Sequence, residues 1–323
     1  MAVKLAQDIF GKPSMEATRD GFGKQLVELA EKDSKIISLS GDLNDSVRLD
    51  WLREKHPEKF VQAGIAEQNM VGMAAGLSLA GFTPFAATFG AFMFRAADHI
   101  RVSIAFNNLN VKLVSTHCGV TTGEDGGNAQ VLEDISFFRS LPNFKVIVPC
   151  DSLEARKATV AANNLQGPVY LRLGREKTPI MTLPETPFEV GMAQVFKDGS
   201  DVAIIACGVE VYEALLAARE LEKKGISARV INCPSIKPLD EKTILAAAKE
   251  CGAIVTAEEH QRNGGLGGAV AELLSCKQPT PMEFVAVDDS FGESGTGVEL
   301  LKKYGLTSSD IVKAAQKALL RKN

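Results

Sequence analysis

Several residue types are scarce in this sequence, and each scarcity argues against a class of function. The chain has 323 residues but only four histidines, three tyrosines and one tryptophan. Histidine is the commonest metal ligand in proteins, so we predict no metal ligands in this chain. Neither sign of charge dominates, because 36 basic and 40 acidic residues leave a formal net charge of −4. That balance argues against a nucleic-acid or anionic-membrane binder.

The six cysteines lie far apart, and no two of them form a C-x-x-C pair. No secretory leader is recognisable at the amino terminus, so the pattern predicts reduced, mostly buried thiols rather than a disulfide framework. We therefore expect a cytoplasmic protein.

No charged residue occurs between Gln68 and Phe94, and a stretch of this length raises the question of a membrane span. A Gly-Phe-Thr-Pro turn at residues 81–84 divides the stretch and predicts a helix before it and a strand after it. We interpret the stretch as the most deeply buried part of the fold and expect no membrane association.

Short apolar runs alternate with amphipathic stretches along nearly the whole chain. Such runs, separated by helices, are typical of parallel strands that helices cover on both faces. The candidate strands are residues 36–42, 60–65, 82–89, 111–117, 145–150, 168–173, 202–208, 228–233, 253–260 and 284–289.

A cluster of three prolines, at positions 179, 184 and 187, divides this series of strands and predicts a linker. Together with a length suited to two domains, it predicts two consecutive α/β domains with largely parallel sheets. We place the first domain at residues 12–178, the linker at 179–192 and the second domain at 193–323.

Polar residues collect where the strands of the first domain end. Ligands of open α/β sheets bind at this carboxyl edge, so the group as a whole predicts a binding site. Each residue taken singly also has a structural explanation, such as a place in the first turn of a helix or in the core. The residues are Asp42, Glu67, His117, Asp151, Arg172 and Arg175.

Arg19 lies on the apolar face of a predicted helix, in line with Met15, Phe22, Leu26 and Leu29. Because a guanidinium group is rarely buried without an anionic partner, Arg19 needs one. The sequence leaves open whether that partner is a carboxylate of the protein or a phosphate of a ligand.

Familiar nucleotide-binding motifs are missing. There is no G-x-x-x-x-G-K-[ST], and the glycine-rich run at residues 263–268 lacks the G-x-G-x-x-G spacing, which argues against a nucleotide-dependent dehydrogenase. Aromatic residues offer a different binding surface. Phe89 and Phe92 lie three residues apart at a predicted strand-to-helix passage, where they could stack on a flat ligand or simply fill the core.

Seven short segments resemble transketolase in their order and spacing, and they span essentially the whole first domain. The most specific are QAGIAEQN and the pair of STH with GEDG. The resemblance implies a pyrimidine-binding domain of thiamine-diphosphate enzymes followed by a transketolase C-terminal domain, which together cover essentially the whole chain. The segments are ATR (17–19), SGDLNDS (40–46), QAGIAEQN (62–69), TFGAF (88–92), STH (115–117), GEDG (123–126) and LGR (173–175).

This resemblance implies transfer of a two-carbon ketol unit from a ketose phosphate to an aldose phosphate, with thiamine diphosphate as cofactor. It places Glu67 at the catalytic glutamate that bonds the cofactor's aminopyrimidine ring. The charge-free stretch after Glu67 is expected to surround this carboxyl group with apolar residues. The resemblance further implies that Phe89 and Phe92 pack on the same ring and that Asp42 lies near the cofactor.

The remaining matched residues are implied to hold the sugar substrate. His117 and Asp125 correspond to residues that contact its hydroxyl groups, and His117 also has a catalytic role in stabilising charge. Arg19, Ser46 and Arg175 correspond to the group that binds the sugar phosphate, where planar guanidinium groups suit phosphate oxygens.

Enzymes of this kind hold Mg²⁺ and the diphosphate with a G-D-G…N motif on another domain, and no G-D-G occurs in this sequence. The resemblance therefore implies the C-terminal half of a split transketolase. Its N-terminal half would be a separate subunit, and the two kinds of subunit are expected to form a heterotetramer in which this chain also self-associates. The second domain is expected to support that assembly.

One segment departs from the family pattern. After GEDG many transketolases continue with a residue that can hydrogen-bond to substrate, whereas this sequence reads GGNAQ at residues 126–130. Ala129 cannot make that contact, so either Gln130 or Asn128 replaces it, or it is lost.

Other identities remain open. The chain resembles half of a 1-deoxyxylulose-5-phosphate synthase or the beta subunit of a 2-oxoacid dehydrogenase in architecture, and it could be a non-catalytic paralogue that only binds a partner. The sugar-phosphate residues favour transketolase over the dehydrogenase subunit, and intact Glu67 and Phe89 favour an enzyme over a paralogue.

Overall fold

Strands and helices alternate along the whole of residues 2–322, the part of the chain that the computed structural model describes. The strands are β1 Met15–Ala17, β2 Ile36–Ser40, β3 Phe60–Gln62, β4 Thr83–Phe89, β5 Lys112–Thr116, β6 Lys145–Ile147, β7 Val169–Arg172, β8 Lys177–Pro179, β9 Gln194–Lys197, β10 Val202–Ala206, β11 Ala228–Asn232, β12 Ser235–Lys237, β13 Ile254–Gln261 and β14 Met282–Val287.

The helices follow the same order. They are α1 Thr18–Ala30, α2 Asp50–Lys55, α3 Glu67–Leu79, α4 Gly90–Met93, α5 Ala97–His99, α6 Asp134–Ser140, α7 Ser152–Asn164, α8 Glu210–Lys223, α9 Glu241–Cys251, α10 Leu266–Lys277, α11 Gly297–Lys303 and α12 Ser308–Leu320. Short 3₁₀ segments lie at Pro57–Lys59, Phe94–Ala96 and Val120–Asp125, and a π-helical segment lies at Ile100–Ala105.

Two largely parallel sheets form the framework, which confirms the predicted fold class. The first has the strand order β12-β6-β7-β5-β4-β2-β3, and only its edge strand β12 is antiparallel to its neighbour. The second has the order β14-β13-β10-β11-β9, and only the edge strand β9 is antiparallel. A small antiparallel pair, β1 with β8, lies outside both sheets.

The central strands are buried along their whole length. Every residue of β4, β5 and β10 is buried, as continuous apolar runs between covering helices predict. Five of the six cysteines are buried as well, while Cys276 is exposed. Within residues 2–322, no helix is long and apolar enough to cross a membrane.

The charge-free stretch divides at the predicted turn into α3 and β4. Our expectation that it is the most deeply buried part of the fold is correct for β4 but wrong for α3. A helix packed on one face of a sheet buries only one stripe, and the outer stripe of α3 leaves Gly72, Gly76 and Leu79 exposed.

The linker has no helix or strand between β8 and β9, but it is fixed to the first domain. The Asp151 carboxylate accepts hydrogen bonds from the main-chain nitrogens of Met181 at 2.8 Å and Thr182 at 2.7 Å. The same side chain caps α7 by accepting from the Glu154 nitrogen. Asp151 therefore has a structural role.

The second half of the chain contributes a strand to the first sheet, because β12 pairs with β6 at its edge. The two predicted domains thus share a sheet, and the boundaries at residues 179–192 remain a prediction.

The predicted apolar stripe of the first helix needs one correction. Phe22 and Leu26 are fully buried on α1, but Met15 lies in β1 and is exposed. The helix begins only at Thr18, because residues 15–17 are extended and pair with β8.

Candidate active site

Three aromatic rings form a column at the carboxyl edge of the first sheet. Phe89 ends β4 and is paired in register with Thr116 of the parallel strand β5, so His117 follows directly beside it. The ring centroids of Phe89 and His117 lie 3.6 Å apart, and those of Phe89 and Phe92 lie 5.3 Å apart. Both pairs are stacked. The two phenylalanines predicted to bind a flat ligand therefore contact His117, which is predicted to bind the substrate.

Glu67 lies beside this column as the first residue of α3 and is only 3% exposed. Its Oε1 accepts a hydrogen bond of 3.0 Å from Nη1 of Arg95, whose guanidinium carbon lies 4.5 Å from the centroid of the Phe92 ring. Arg95 thereby joins the carboxylate to the aromatic column. Within residues 2–322, Glu67 Oε2 has no hydrogen-bond partner.

The expectation that apolar residues surround the Glu67 carboxyl group is therefore wrong on one side, where Arg95 pairs with it. Arg95 is the first charged residue after the charge-free stretch, and the chain turns back through α4 to bring it to Glu67. Sequence reasoning did not single out Arg95, because nothing in the spacing of 28 residues indicates the contact.

His117 is buried and uncharged near neutral pH. Burial, reinforced by the positive charges of Arg19, Arg175 and Arg48, lowers the pKa of His117 to about 3. Its Nδ1 lies 2.9 Å from Thr116 Oγ1 and its Nε2 lies 3.6 Å from Asp125 Oδ2. The residue also has a positive φ of 58°, an uncommon backbone conformation outside glycine.

This histidine makes the fold sensitive to acid. The pKa of His117 is lowered to about 3, whereas an unfolded histidine has a pKa of about 6.5, so the unfolded chain binds more protons between these values. The contribution of neutral His117 to the free energy of unfolding is fully present above pH 6.5 and is lost as the pH falls from 6.5 towards 3. We expect His117→Asn to reduce the loss of unfolding free energy between pH 7 and pH 5 by about 2 kcal/mol. Urea denaturation followed by circular dichroism at both pH values measures this, and an identical loss in both proteins would contradict it.

Arg19 on α1 is an arginine without a carboxylate. Its Nη1 donates to the main-chain oxygen of Ser46 at 2.9 Å, while its Nε is buried without a partner. Among residues 2–322, no acidic side chain forms an ion pair with it, and burial followed by the nearby charge of Arg48 lowers the pKa of Arg19. The sequence leaves open whether a protein carboxylate or a ligand phosphate pairs with Arg19. Within residues 2–322, the structure shows no such carboxylate.

Arg175 approaches the same region from the loop after β7. Its Nη1 donates to the main-chain oxygen of Thr122 at 3.0 Å and to Glu124 Oε2 at 3.1 Å, and its Nε lies 3.7 Å from Asp125 Oδ2. Asp125 thus lies between Arg175 and His117. An anion that binds Arg175 would have to share this guanidinium with acidic neighbours.

Arg48 is a third cation here that sequence reasoning missed, although it follows Ser46 by only two residues. Its Nε pairs with Asp20 Oδ1 at 2.6 Å, and its charge contributes to the lowered pKa of both Arg19 and His117. Of the three arginines, Arg48 and Arg175 pair with carboxylates, whereas Arg19 has no ion-pair partner among residues 2–322.

Asp42 lies at the same sheet edge but on the side of β3. It is exposed, has a φ of 67°, and exchanges hydrogen bonds with the side chain of Gln62 at 3.0 and 3.2 Å. In the described residues no hydrogen bond or ion pair joins it to Glu67. Its place near a cofactor remains a prediction.

Other edge residues serve the fold. Arg172 is buried and pairs through Nε with Asp134 Oδ2 at 2.8 Å. Gln130 is buried too, and its Nε2 donates to the main-chain oxygens of Val120, Gly123 and Glu293. The Oε1 of Gln130 is buried without a partner and Asn128 is exposed, so both remain candidates to replace the contact missing at Ala129.

The arrangement brings together most of the predicted residues in two connected groups. Glu67, Phe89 and Phe92 form one group with Arg95, while Arg19, Asp125 and Arg175 form the other, and His117 touches both. No cluster of three histidine, cysteine, aspartate or glutamate side chains within residues 2–322 is arranged to hold a metal ion.

Comparison with known proteins places both halves of the chain. Residues 14–181 match the family "Transketolase, pyrimidine binding domain", and residues 191–311 match "Transketolase, C-terminal domain". The chain is 40% identical over 306 residues to the 6-deoxy-6-sulfo-D-fructose transketolase subunit of Clostridium sp. (strain MSTE9), covering 94% of this chain and 95% of that one. It is 38% identical over 309 residues to human Transketolase-like protein 2, covering 94% of this chain but 49% of that one.

A solved structure named "Split gene transketolase, inactive beta4 tetramer" is 47% identical and superimposes with a TM-score of 0.90. The match covers 95% of this chain and 99% of that one.

Proposed function

This chain belongs to the transketolase family, and we propose that it is the C-terminal subunit of a split transketolase. In this proposal it transfers a two-carbon ketol unit from a ketose phosphate to an aldose phosphate, together with a separate N-terminal subunit. The observation that carries the proposal is the stack of His117 on Phe89, because it joins the Glu67 group to the arginine group at one sheet edge.

The residues around Phe89 fit the aminopyrimidine ring of thiamine diphosphate. Phe89 already stacks on His117 and Phe92, so the partly buried Phe92 offers the aromatic surface. Glu67 Oε2 has no hydrogen-bond partner in residues 2–322, and the buried Oγ1 of Thr88 is likewise unpartnered there. A flat heterocycle with ring nitrogens matches this set of apolar faces and polar atoms. When bound, the cofactor supplies the nucleophile and the electron sink for cleaving a carbon–carbon bond.

The side chains of this subunit then have distinct tasks. Glu67 Oε2 forms a hydrogen bond with a ring nitrogen and exchanges a proton with it, while Arg95 holds the other carboxyl oxygen. Neutral His117 hydrogen-bonds to a substrate oxygen and stabilises the charge that develops there, and Asp125 orients a hydroxyl group.

We assign the remaining part of the cofactor to the partner. The N-terminal subunit would carry the G-D-G…N motif and hold Mg²⁺ and the diphosphate. The match to 99% of a split transketolase chain, against 49% of Transketolase-like protein 2, supports a two-subunit enzyme. That structural neighbour is described as an inactive β4 tetramer, so we propose that this chain also self-associates, is inactive alone and enters a heterotetramer with its partner.

The substrates we propose are sugar phosphates of the pentose phosphate pathway, in a cytoplasmic enzyme. Mostly buried cysteines and the absence of a disulfide in residues 2–322 fit that compartment. A ketose with a terminal sulfonate is a second candidate donor, because a relative at 40% identity is a 6-deoxy-6-sulfo-D-fructose transketolase subunit. Guanidinium groups bind either tetrahedral anion.

Substitution of Arg19 tests whether this residue binds the anionic group of the substrate. In the assembled enzyme we expect Arg19→Ala to raise the KM for a ketose phosphate roughly 10- to 100-fold, because a hydrogen bond to a charged group is worth about 1.5–3 kcal/mol. The KM for an unphosphorylated donor should change by less than about twofold. Steady-state kinetics with phosphate, sulfonate and uncharged donors measures the difference.

Arg219→Ala is the matched control, since Arg219 is an exposed arginine on the outer face of α8 in the second domain. It should leave all three KM values unchanged. Equal effects of Arg19→Ala on charged and uncharged donors would contradict the anion-binding role. A higher wild-type kcat/KM for the sulfonate than for the phosphate would identify the sulfonate as the preferred donor.

A further inference from the structure

The loop at residues 117–127 carries two of the proposed substrate residues, His117 at its start and Asp125 near its end. Its backbone is unusual, with positive φ angles at His117, Gly119, Gly123 and Gly126. Three of these four residues are glycines, which restrict the backbone least, so contacts from outside the loop are needed to hold a single conformation.

The second domain supplies such a contact through Glu259 on β13. This side chain is 3% exposed, and its Oε1 accepts a hydrogen bond from the main-chain nitrogen of Thr121. The carboxyl group also lies directly against Gly119, where a Cβ atom would collide with it. Thus one buried side chain of the second domain touches two backbone positions of the loop.

Glu259 is itself held from the first domain. Its main-chain oxygen accepts a hydrogen bond of 2.8 Å from Nη2 of Arg172, whose Nε pairs with Asp134. The carboxyl group therefore reaches the loop from a fixed backbone rather than from a mobile surface strand.

A second segment of the same domain also contacts the loop. Gln130 Nε2 joins the loop to residues 292–297, since it donates to Gly123 at 3.2 Å and to Glu293 at 2.8 Å, both through main-chain oxygens. Gly126 lies against Ser294, which leaves no room for a side chain at that position. Two separate segments of the second domain thus contact the loop.

We infer that Glu259 is a positioning residue of this enzyme: by holding Thr121 and packing on Gly119 it fixes the loop that presents His117 and Asp125 to the substrate. The second domain then has a specific task in substrate binding in addition to any role in assembly. The consequence for turnover rests on the proposed function, whereas the anchoring of the loop does not.

Hydrogen exchange tests the anchoring on the full-length chain alone. We expect Glu259→Ala to speed amide exchange of peptides spanning residues 119–127 at least about tenfold, because the Thr121 N–H loses its acceptor. Glu259→Gln should exchange like the wild type, since an amide oxygen still accepts from Thr121. Glu259→Asp moves the acceptor back by one methylene group, so its exchange rate should lie between those of the other two variants. It replaces the alanine variant in the test if that variant does not fold.

Glu258→Ala is the matched control. Glu258 is the neighbouring buried carboxylate on β13, but its oxygens accept from the nitrogens of Leu266 and Gly267 within the second domain. It should lower the melting temperature without changing exchange in residues 119–127. Equal acceleration by Glu258→Ala and Glu259→Ala, or no acceleration by Glu259→Ala and Glu259→Asp, would overturn the inference.

Kinetics of the assembled enzyme then separates this inference from the proposed function. Glu259→Ala should raise the KM for the ketose phosphate at least about tenfold with unchanged thiamine diphosphate affinity, and Glu259→Gln should restore it. Altered loop exchange in an assembly without ketol transfer would refute the proposed function and leave the anchoring intact. An unchanged KM in an active assembly would overturn the positioning role.

Discussion

Glu67→Gln in the assembled two-subunit enzyme is expected to lower the rate of ketol transfer by at least about a hundredfold, because positioned acids and bases contribute about 10²- to 10⁴-fold. Glutamine has the shape of glutamate, and its amide oxygen can still accept from Arg95. It cannot exchange a proton with a ring nitrogen. Glu67 is only 3% exposed at the start of α3, which limits the access of solvent that could take over this task.

The loss should appear in kcat, measured with saturating thiamine diphosphate, while assembly stays intact by size-exclusion chromatography. Glu58→Gln is a suitable control, since Glu58 is an exposed carboxylate whose side chain is 65% accessible. A Glu67→Gln enzyme with nearly normal kcat would remove Glu67 from the chemistry, even if the assembly and the anion-binding residues proved correct.

The fold could be predicted from the sequence because several of its strands have a recognisable pattern. Residues 83–89 are mostly apolar and carry no charge, which is typical of a strand covered on both faces, and every residue of this strand is buried. Parallel strands also align their carboxyl ends, so residues following different strands could be expected to meet. Phe89 and His117 do meet, since β4 and β5 pair in register.

The contacts that could not be predicted depend on chain reversals and on the second domain. Arg95 reaches Glu67 only because the chain turns back after β4, and no period in the sequence encodes that turn. Met15 appeared to continue the stripe of α1, but pairing with β8 extends residues 15–17 into a strand. Pairing with a distant strand, rather than the local spacing of apolar residues, therefore determines the conformation of residues 15–17.

Glu259 illustrates the same limit across domains. In sequence it is one of two adjacent glutamates in a strand, and nothing distinguishes the one that holds Thr121 from the one that caps the second domain's own helix. The alternation of a strand places neighbouring side chains on opposite faces, but which face meets another domain is decided only by the folded arrangement.

The central claim is that this chain is one of two subunits that form an active transketolase only together. Its direct test mixes the purified chain with a purified N-terminal subunit carrying the G-D-G…N motif, in the presence of thiamine diphosphate, Mg²⁺, a ketose phosphate and an aldose phosphate. We expect no ketol transfer from either subunit alone, and transfer that rises on mixing and saturates at equal amounts of the two subunits. Comparable transfer by this chain alone, or none from a stable complex of the two, would contradict the account.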